Sequence, residues 1–236
     1  VKQGDAIDQS ALERGTSVYV IDRVVPMLPF NLSNDVCSLV PDKDRLTFSC
    51  EMEIDGNGKV VDYSIFKSVI CSKSRMTYGL VADLLEGDGS HPNRLQPFKK
   101  ELIMMNELHE ILRVKRRLNR GAINFDFPEA KITLDKNGFP DQITIEERLV
   151  SHRIIEEFML VCNETIAEHV SKLDAPFIFR NHPEPHPEKL AAFRTFINRY
   201  GFKLGKNDDQ IPTGEDFQQL VKDIQGKNEE RVITKI

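Results

Sequence analysis

The chain has 236 residues, of which 40% are hydrophobic and 29% are charged, and its formal net charge is −5. This composition is ordinary for a soluble globular protein with one large or two small domains, and the absence of any run of about 18 apolar residues excludes a predicted membrane span. The negative charge does not favour a nucleic-acid-binding protein, although a local basic channel on an acidic body remains compatible with it.

The N-terminal region predicts a short helix followed by a strand. Residues 5–16 are typical of a helix that ends near Gly15, and residues 17–25 are rich in β-forming side chains. Pro26 and Pro29 end any regular element there, because proline cannot donate a main-chain hydrogen bond. The first ten residues are polar, lack the apolar stretch of a signal peptide and do not begin with Met. These features fit a piece of a longer protein or a processed chain.

Two hairpins are predicted in the middle of the chain, each closed by an Asp-x-Asn-Gly turn, since Asn and Gly tolerate a positive φ. In the first strand apolar and polar residues alternate, which indicates a half-buried strand. Its predicted apolar face consists of Leu46, Phe48, Cys50, Met52 and Ile54. The strands and turns of the two hairpins are predicted at 45–54, 55–58 and 59–70, and at 131–134, 135–138 and 142–147.

Helices account for most of the remaining chain. They are predicted at 77–85, 97–119, 150–170, 188–200, 214–224 and 228–236, with further strands at 122–127 and 176–179. In the helix at 150–170 the predicted apolar stripe consists of Ile155, Met159, Cys162 and Ile166. Hairpins among the strands and helices later in the chain favour an α+β fold, with a mainly antiparallel sheet packed with helices, over a doubly wound sheet.

The cysteines indicate a reducing compartment. Their scattered spacing contains no Cys-x-x-Cys pair, which argues against a zinc ribbon. Reduced, mostly buried thiols in a cytoplasmic protein are the better interpretation. The four residues are Cys37, Cys50, Cys71 and Cys162.

One segment carries a resemblance to a known family. Residues 14–39, RGTSVYVIDRVVPMLPFNLSNDVCSL, closely resemble the RNB catalytic domain of the ribonuclease II/ribonuclease R family, and residues 113–127 and 150–182 are also similar to it. The resemblance implies a processive 3′→5′ exoribonuclease that hydrolyses single-stranded RNA to nucleoside 5′-monophosphates with magnesium. It most resembles the bacterial ribonuclease R branch.

Three aromatic residues are candidates for RNA contact. From the residues alone, Tyr19 and Phe125 are half-buried strand aromatics and Tyr78 is a boundary residue before a helix. The resemblance implies that Tyr19 and Phe125 stack on bases and that Tyr78 positions the 3′-terminal nucleotide. Stacking of this kind tolerates any base sequence. Phe127 competes with Phe125 for this role.

Two adjacent glutamates lie in the segment IIEEFMLVCNE. With Ile155 placed at the centre of the apolar stripe and about 100° per residue, Glu156 falls at the edge of the stripe and Glu157 falls in solvent. The residues alone favour an exposed helical Glu156. The resemblance instead implies that Glu156 contacts a ribose, which offers a way to recognise the RNA 2′-hydroxyl.

A basic run ends the helix predicted at 97–119. Cations are favoured at a helix C-terminus, but the same residues could bind RNA phosphates with an affinity that weakens in salt. Both interpretations stay open, with Arg116 and Arg117 as the predicted RNA contacts. The run consists of Arg113, Lys115, Arg116, Arg117 and Arg120.

No catalytic or metal-binding residue is predicted within the chain. His182 and His186 lie in a proline-rich loop without a converging Cys or carboxylate. The carboxylates Asp5, Asp8, Glu13 and Asp22 do not form the cluster that two-metal phosphoryl transfer needs. The resemblance implies an upstream acidic cluster that holds Mg²⁺ and a downstream S-P-x-R-R-Y segment, and neither occurs here.

These observations predict that residues 1–236 are the central part of an RNB exoribonuclease domain, truncated at both ends. The piece is expected to bind the 3′ end of single-stranded RNA, to hold no metal, to be inactive alone and to self-associate through surface that truncation exposes. One alternative is a catalytically dead RNB-like scaffold that binds RNA or protein. A third is an unrelated α+β binding module.

Overall fold

The protein is described from a computed structural model. It describes residues 1–87, 93–117, 121–122, 129–181, 183–207 and 210–235, without the side chains of residues 93, 94 and 115–117. The chain divides into two compact units. The first unit contains Val1–Glu51, Tyr63–Leu95 and Pro128–Ser151, and the second contains Met52–Asp62, Gln96–Phe127 and His152–Ile236.

The first unit begins with helix α1, Ala6–Arg14, as predicted. Asp5 caps it by accepting a hydrogen bond from the Asp8 main-chain N–H at 2.8 Å, and Gly15 ends it in the left-handed region at φ 68°. The predicted strand at 17–25 is instead a small antiparallel pair, β1 (Val18–Tyr19) and β2 (Val24–Val25). A π-helical turn follows at Leu32–Val36.

The first predicted hairpin is present as β3 (Asp44–Ile54) and β4 (Val60–Cys71). The predicted burial of its apolar face is wrong at the start of β3, where Leu46 is 88% exposed and Phe48 is exposed. The half-buried side chains there are Thr47 and Ser49, because their hydroxyls both lie 2.6 Å from the Ser68 hydroxyl of β4.

The second hairpin consists of β5 (Glu129–Leu134) and β6 (Pro140–Glu146), paired antiparallel. Ala130 faces Ile145 and Ile132 faces Ile143, so one face is apolar and the other is polar. Nearly all of its side chains are exposed on both faces.

Helix α2, Tyr78–Glu86, completes the first unit and buries Val81, Ala82 and Leu84. The hydroxyl of Ser151, which is buried, donates a hydrogen bond to the Tyr78 carbonyl at 2.8 Å. This bond ties the first turn of α2 to a residue 73 positions later in the chain.

In the second unit, helix α3 runs over Lys99–Ile111 and continues as a π-helical turn at Leu112–Arg117. It follows a 3₁₀ segment at Asn93–Phe98. Leu102, His109 and Leu112 are buried. The helix predicted at 97–119 is therefore confirmed over its described part, with irregular ends.

Helix α4, Val150–Lys172, is confirmed, but the predicted burial of its apolar stripe is wrong at Ile155 and Met159, which are exposed. Cys162 and Ile166 of the stripe are half-buried, and the fully buried side chains lie on a neighbouring face at helical spacing. This buried set consists of Val150, Ser151, Ile154, Glu157, Val161 and Thr165. Helix α4 carries apolar residues on two faces, and sequence periodicity alone does not say which face is covered.

The C-terminal helices α5 (Pro187–Asn198), α6 (Gly214–Ile224) and α7 (Glu230–Ile233) share an aliphatic core in which Ile197, Leu204 and Ile224 are almost fully buried. Thr213 and Asp216 form a capping box at the start of α6. The first two helices match their predicted ranges, whereas α7 is shorter than predicted. The predicted strand at 176–179 is wrong. Residues 175–181 have no regular secondary structure.

These elements give a mixed α+β architecture with small antiparallel sheets, and the predicted fold class is confirmed. Within the described ranges, no helix is long and apolar enough to cross a membrane.

Candidate functional site

Tyr19 lies on β1 opposite Val24, and its side chain is 78% exposed. The β1–β2 pair is closed by a hydrogen bond from the Val20 N–H to the Arg23 carbonyl at 3.0 Å. Ser17 also accepts a bond from the Met27 N–H at 3.0 Å. These bonds fix the main chain on both sides of the ring, so Tyr19 presents an open aromatic face on a fixed backbone.

Tyr78 is the first residue of α2, and it is also exposed. Thr77 precedes it with extended backbone, and the Ser151 bond holds its carbonyl in place. Tyr19 and Tyr78 both belong to the first unit. In each case the backbone is fixed by hydrogen bonds while the aromatic side chain stays accessible.

Glu156 and Glu157 lie on α4 in the second unit. Glu156 is half-buried, whereas Glu157 is only 4% exposed. The prediction that Glu157 lies in solvent is wrong, because it was made from the stripe of Ile155 and Met159, which is the exposed side. A buried carboxylate in this helix is therefore a feature that the sequence interpretation missed.

The side chains of the remaining predicted contacts lie outside the described residues. Arg116 and Arg117 belong to the π-helical turn, but their side chains lie outside the described residues, as do Phe125 and Arg120. Arg113 of the same basic run is half-buried.

The main chain just before the segment that contains Phe125 is anchored on α6. The Gln218 amide donates to the Ala122 carbonyl at 2.7 Å. Gly121, at φ 82°, lies so close to Gly214 that a Cβ added to Gly214 would stand 2.4 Å from the Gly121 carbonyl oxygen. Glycine is needed at both positions for this approach.

His109 on α3 is a buried polar residue that the sequence interpretation did not single out. Neither ring nitrogen has a hydrogen-bond partner among the described residues, although Glu110 Oε1 lies 3.5 Å from Nδ1. Burial lowers the pKa of His109, the nearby Glu110 raises it, and Arg113 and Arg153 lower it further. The pKa of His109 is therefore lower than that of a free imidazole, and its helical spacing from the apolar Leu102 and Leu112 was the available signal.

The acidic residues of the N-terminal region have structural roles. The pKa of Asp5 is lowered because its carboxylate accepts bonds from the Asp8 and Lys2 main-chain N–H groups. Asp22 pairs with Arg23, which lowers the pKa of Asp22. Within the part of the chain that the structure describes, no group of three or more His, Cys, Asp or Glu side chains could hold a metal ion.

Comparison with known proteins identifies the family of this chain. The model of the RNB domain family matches residues 1–236. Ribonuclease R of Thermotoga maritima is 46% identical over 203 residues, which cover 86% of this chain and 28% of that protein. Ribonuclease R of Escherichia coli K12 is 34% identical over 224 residues, which cover 95% of this chain and 27% of that protein. The chain thus spans little more than a quarter of these curated relatives.

Solved structures agree with the sequence comparison. Mycoplasma genitalium RNase R in complex with ribose-methylated single-stranded RNA superposes with a TM-score of 0.91 at 27% identity, over 99% of this chain and 36% of that one. Yeast Ssd1, described as a pseudonuclease, superposes with a TM-score of 0.71 at 20% identity over 99% of this chain and 27% of that chain, which shows the shared fold alone. By its match along residues 1–236 and its identity to ribonuclease R proteins, this chain belongs to the RNB domain family.

Proposed function

We propose that residues 1–236 are the central part of an RNB exoribonuclease domain and supply the surface that holds the 3′ end of single-stranded RNA. The complete protein would hydrolyse RNA processively in the 3′→5′ direction and release nucleoside 5′-monophosphates. The observation that carries this proposal is the superposition, with a TM-score of 0.91, on a ribonuclease R bound to single-stranded RNA. Relatives at 46% and 34% identity carry the same name.

The proposed contacts divide by chemistry. Tyr19, Tyr78 and Phe125 would stack on bases or the terminal nucleotide, at roughly 1–3 kcal/mol for each stacked base. The exposure of Tyr19 and Tyr78 supports this role. Glu156 would accept a hydrogen bond from a ribose 2′-hydroxyl, which favours RNA over DNA. Arg116 and Arg117 would contact phosphates and make binding weaken as the salt concentration rises.

We also propose that Mg²⁺ is held by carboxylates outside residues 1–236, since the described residues do not form a metal site. Magnesium would stabilise charge on the reacting phosphate and lower the pKa of its bound water. The 236-residue chain alone would then bind RNA without cleaving it. A cytoplasmic location fits the scattered cysteines, none of which forms a disulfide among the described residues.

Bare apolar surface on several elements supports the idea that this chain is a piece of a longer protein. Leu46 on β3, Ile155 on α4 and the apolar face of β5–β6 are all exposed. Isolated exposed apolar residues are common, but whole bare faces of regular elements mark surfaces that another part of a protein covers.

The decisive experiment compares the 236-residue chain with the longer natural polypeptide on a 5′-labelled single-stranded RNA in Mg²⁺. Cleavage from the 3′ end by the longer polypeptide alone is the expected result. Magnesium-dependent cleavage by the 236-residue chain itself would refute the proposed inactivity.

Two variants of Tyr19 test the RNA-binding surface separately from RNA cleavage. In the longer polypeptide, Tyr19→Ala should weaken RNA binding by about 5- to 150-fold, the equivalent of one lost stacking contact of 1–3 kcal/mol. Tyr19→Phe keeps the ring and should bind almost as tightly as the native protein. Equal affinities for Tyr19→Ala and the native protein would remove Tyr19 from the RNA path.

The second candidate function is a catalytically dead scaffold that binds RNA or protein. The fold similarity to yeast Ssd1 supports this second candidate. Ssd1 is described as a pseudonuclease, so this fold also occurs in a protein without nuclease activity. Absence of cleavage by both forms, with RNA binding retained, would support the scaffold. Substituted acidic residues in the region of the gene before Val1 would point the same way.

We further propose weak self-association of the 236-residue chain through exposed apolar surface. The apolar face of β5–β6 presents Ile143 and Ile145, which are 69% and 71% exposed. Two strands of about six residues cover roughly 200 Å², far below the about 800 Å² per partner of a stable interface. Association should therefore be weak and depend on concentration, and light scattering that shows only monomer across a concentration series would contradict it.

A further inference from the structure

Residues 175–181, APFIFRN, include large apolar side chains, and every side chain in this segment is exposed. Ile178 is 95% exposed, and Phe177 and Phe179 on either side of it are about half exposed. β-branched and aromatic residues in a continuous run are typical of a strand that is buried on both faces. Phe177, Ile178 and Phe179 thus have the composition of a buried strand and the exposure of a loop.

The main chain of this segment lacks the bonds that a strand needs. After the turn at the end of α4, where Asp174 donates to Ser171 at 3.3 Å, no main-chain group from Ala175 to Asn181 bonds to another described residue. Main-chain N–H and C=O groups next to large apolar side chains are costly to bury without partners. Any structure that covers these side chains must therefore also supply hydrogen-bond partners for the main chain of the segment.

The two aromatic side chains of the segment contact each other. The rings of Phe177 and Phe179 meet edge to face, with centroids 5.2 Å apart and an interplanar angle of 66°. Residues two apart also lie on one face of a strand, where Ile178 would lie on the opposite face. Among the described residues, however, the segment has no neighbouring strand.

We propose that residues 175–181 dock, through main-chain hydrogen bonds, onto a β-strand of the polypeptide outside residues 1–236, so that the segment becomes an inner strand of a larger sheet. This inference rests on the proposed function only in that the natural polypeptide is longer. The chain spans 36% of the ribonuclease R chain that it superposes on, which leaves enough polypeptide to provide such a strand and cover both of its faces.

Other occupants fit these observations less well. Stacked RNA bases would use one aromatic face and leave the main-chain groups and Ile178 uncovered. A second copy paired edge to edge would satisfy main-chain groups on one edge and leave both apolar faces bare. A sheet strand with its own covering elements accounts for the main-chain groups and for both faces.

Hydrogen exchange measured by mass spectrometry tests the proposal in the 236-residue chain and in the longer polypeptide. The amides of residues 177–180 should exchange at the rate of an unstructured chain in the former and about 100-fold more slowly in the latter. Amides of β3, which is paired within this chain, should be protected in both and confirm folding. The exchange readout does not depend on RNA cleavage, so an inactive longer polypeptide still tests the pairing.

Three results would overturn the proposal. Fast exchange of residues 177–180 in both forms would show that the segment stays unpaired. Protection in the 236-residue chain that grows with its concentration would assign the strand to a second copy. Protection of the longer polypeptide that appears only after single-stranded RNA is added would assign the segment to RNA.

Two substitutions at one position separate main-chain pairing from side-chain burial. Ile178→Pro removes a main-chain donor, whereas Ile178→Thr keeps the donor and the preference for strand structure. In the longer polypeptide, Ile178→Pro should lower the melting temperature by several degrees more than Ile178→Thr. In the 236-residue chain neither substitution should change it. Equal effects of the two variants in the longer polypeptide would argue against a main-chain contact.

Discussion

The two hairpins have the same turn and different surroundings. In each, the first Asp of Asp-x-Asn-Gly accepts main-chain bonds at 2.8 and 2.9 Å from the residues two and four positions later. Gly58 and Gly138 follow at φ 76° and 84°. Yet β3 and β4 are half-buried at many positions, while β5 and β6 are exposed at nearly all. The turn residues thus determine that a hairpin forms, and the rest of the molecule determines which face is covered.

The largest expected difference between the hairpins concerns their glycines. Gly58→Ala and Gly138→Ala both place a Cβ in the left-handed region, at about 1–2 kcal/mol each. Gly58 is also buried, so crowding should add roughly 1–3 kcal/mol, whereas a Cβ at Gly138 meets nothing within 4 Å. Urea denaturation of the two variants checks this. Equal losses of unfolding free energy would show that the left-handed backbone of the turn accounts for the whole effect and that crowding at Gly58 adds nothing.

The hydroxyl cluster of β3–β4 offers the next comparison. Ser68→Ala removes the hydroxyl that lies 2.6 Å from both the Thr47 and the Ser49 hydroxyl and should cost about 1 kcal/mol of unfolding free energy. The matched change on the second hairpin is Thr133→Ala, which loses one exposed bond of 3.3 Å to the Gln142 carbonyl. It should cost less than about 0.5 kcal/mol. A larger loss for Thr133→Ala would break the contrast between a half-buried and an exposed hairpin.

The same comparison shows what sequence reasoning could reach. The hairpins were predicted well because an Asp-x-Asn-Gly turn is encoded in four adjacent residues. The buried face of α4 and the exposure of Leu46 were missed, because both elements carry apolar residues whose cover is set by distant parts of the chain. Tyr19 and Glu156 were proposed from a family resemblance, and their periodicity alone would have placed them as ordinary strand and helix residues.

Acid titration of the second turn should give a smaller effect. The pKa of Asp135 is lowered because its carboxylate accepts bonds from Phe139 and Asn137. Since the folded pKa lies below the unfolded value, the stabilisation is present above about pH 4 and is lost as pH falls through the folded pKa. Subtracting the pH profile of Asp135→Asn from that of the native chain should isolate this loss. A difference that stays constant between pH 2 and 7 would contradict it.

The smallest expected effect concerns the bare apolar face of β5–β6. Ile143→Thr replaces an exposed apolar side chain with a β-forming polar one, so the unfolding free energy of the 236-residue chain should change by less than about 0.5 kcal/mol. Ile54→Thr on β3 is the matched change at a half-buried position and should cost more. Self-association measured by light scattering should decrease for Ile143→Thr alone. A large destabilisation by Ile143→Thr would mean that this face is already covered in solution, which would remove the contrast in burial between the two hairpins.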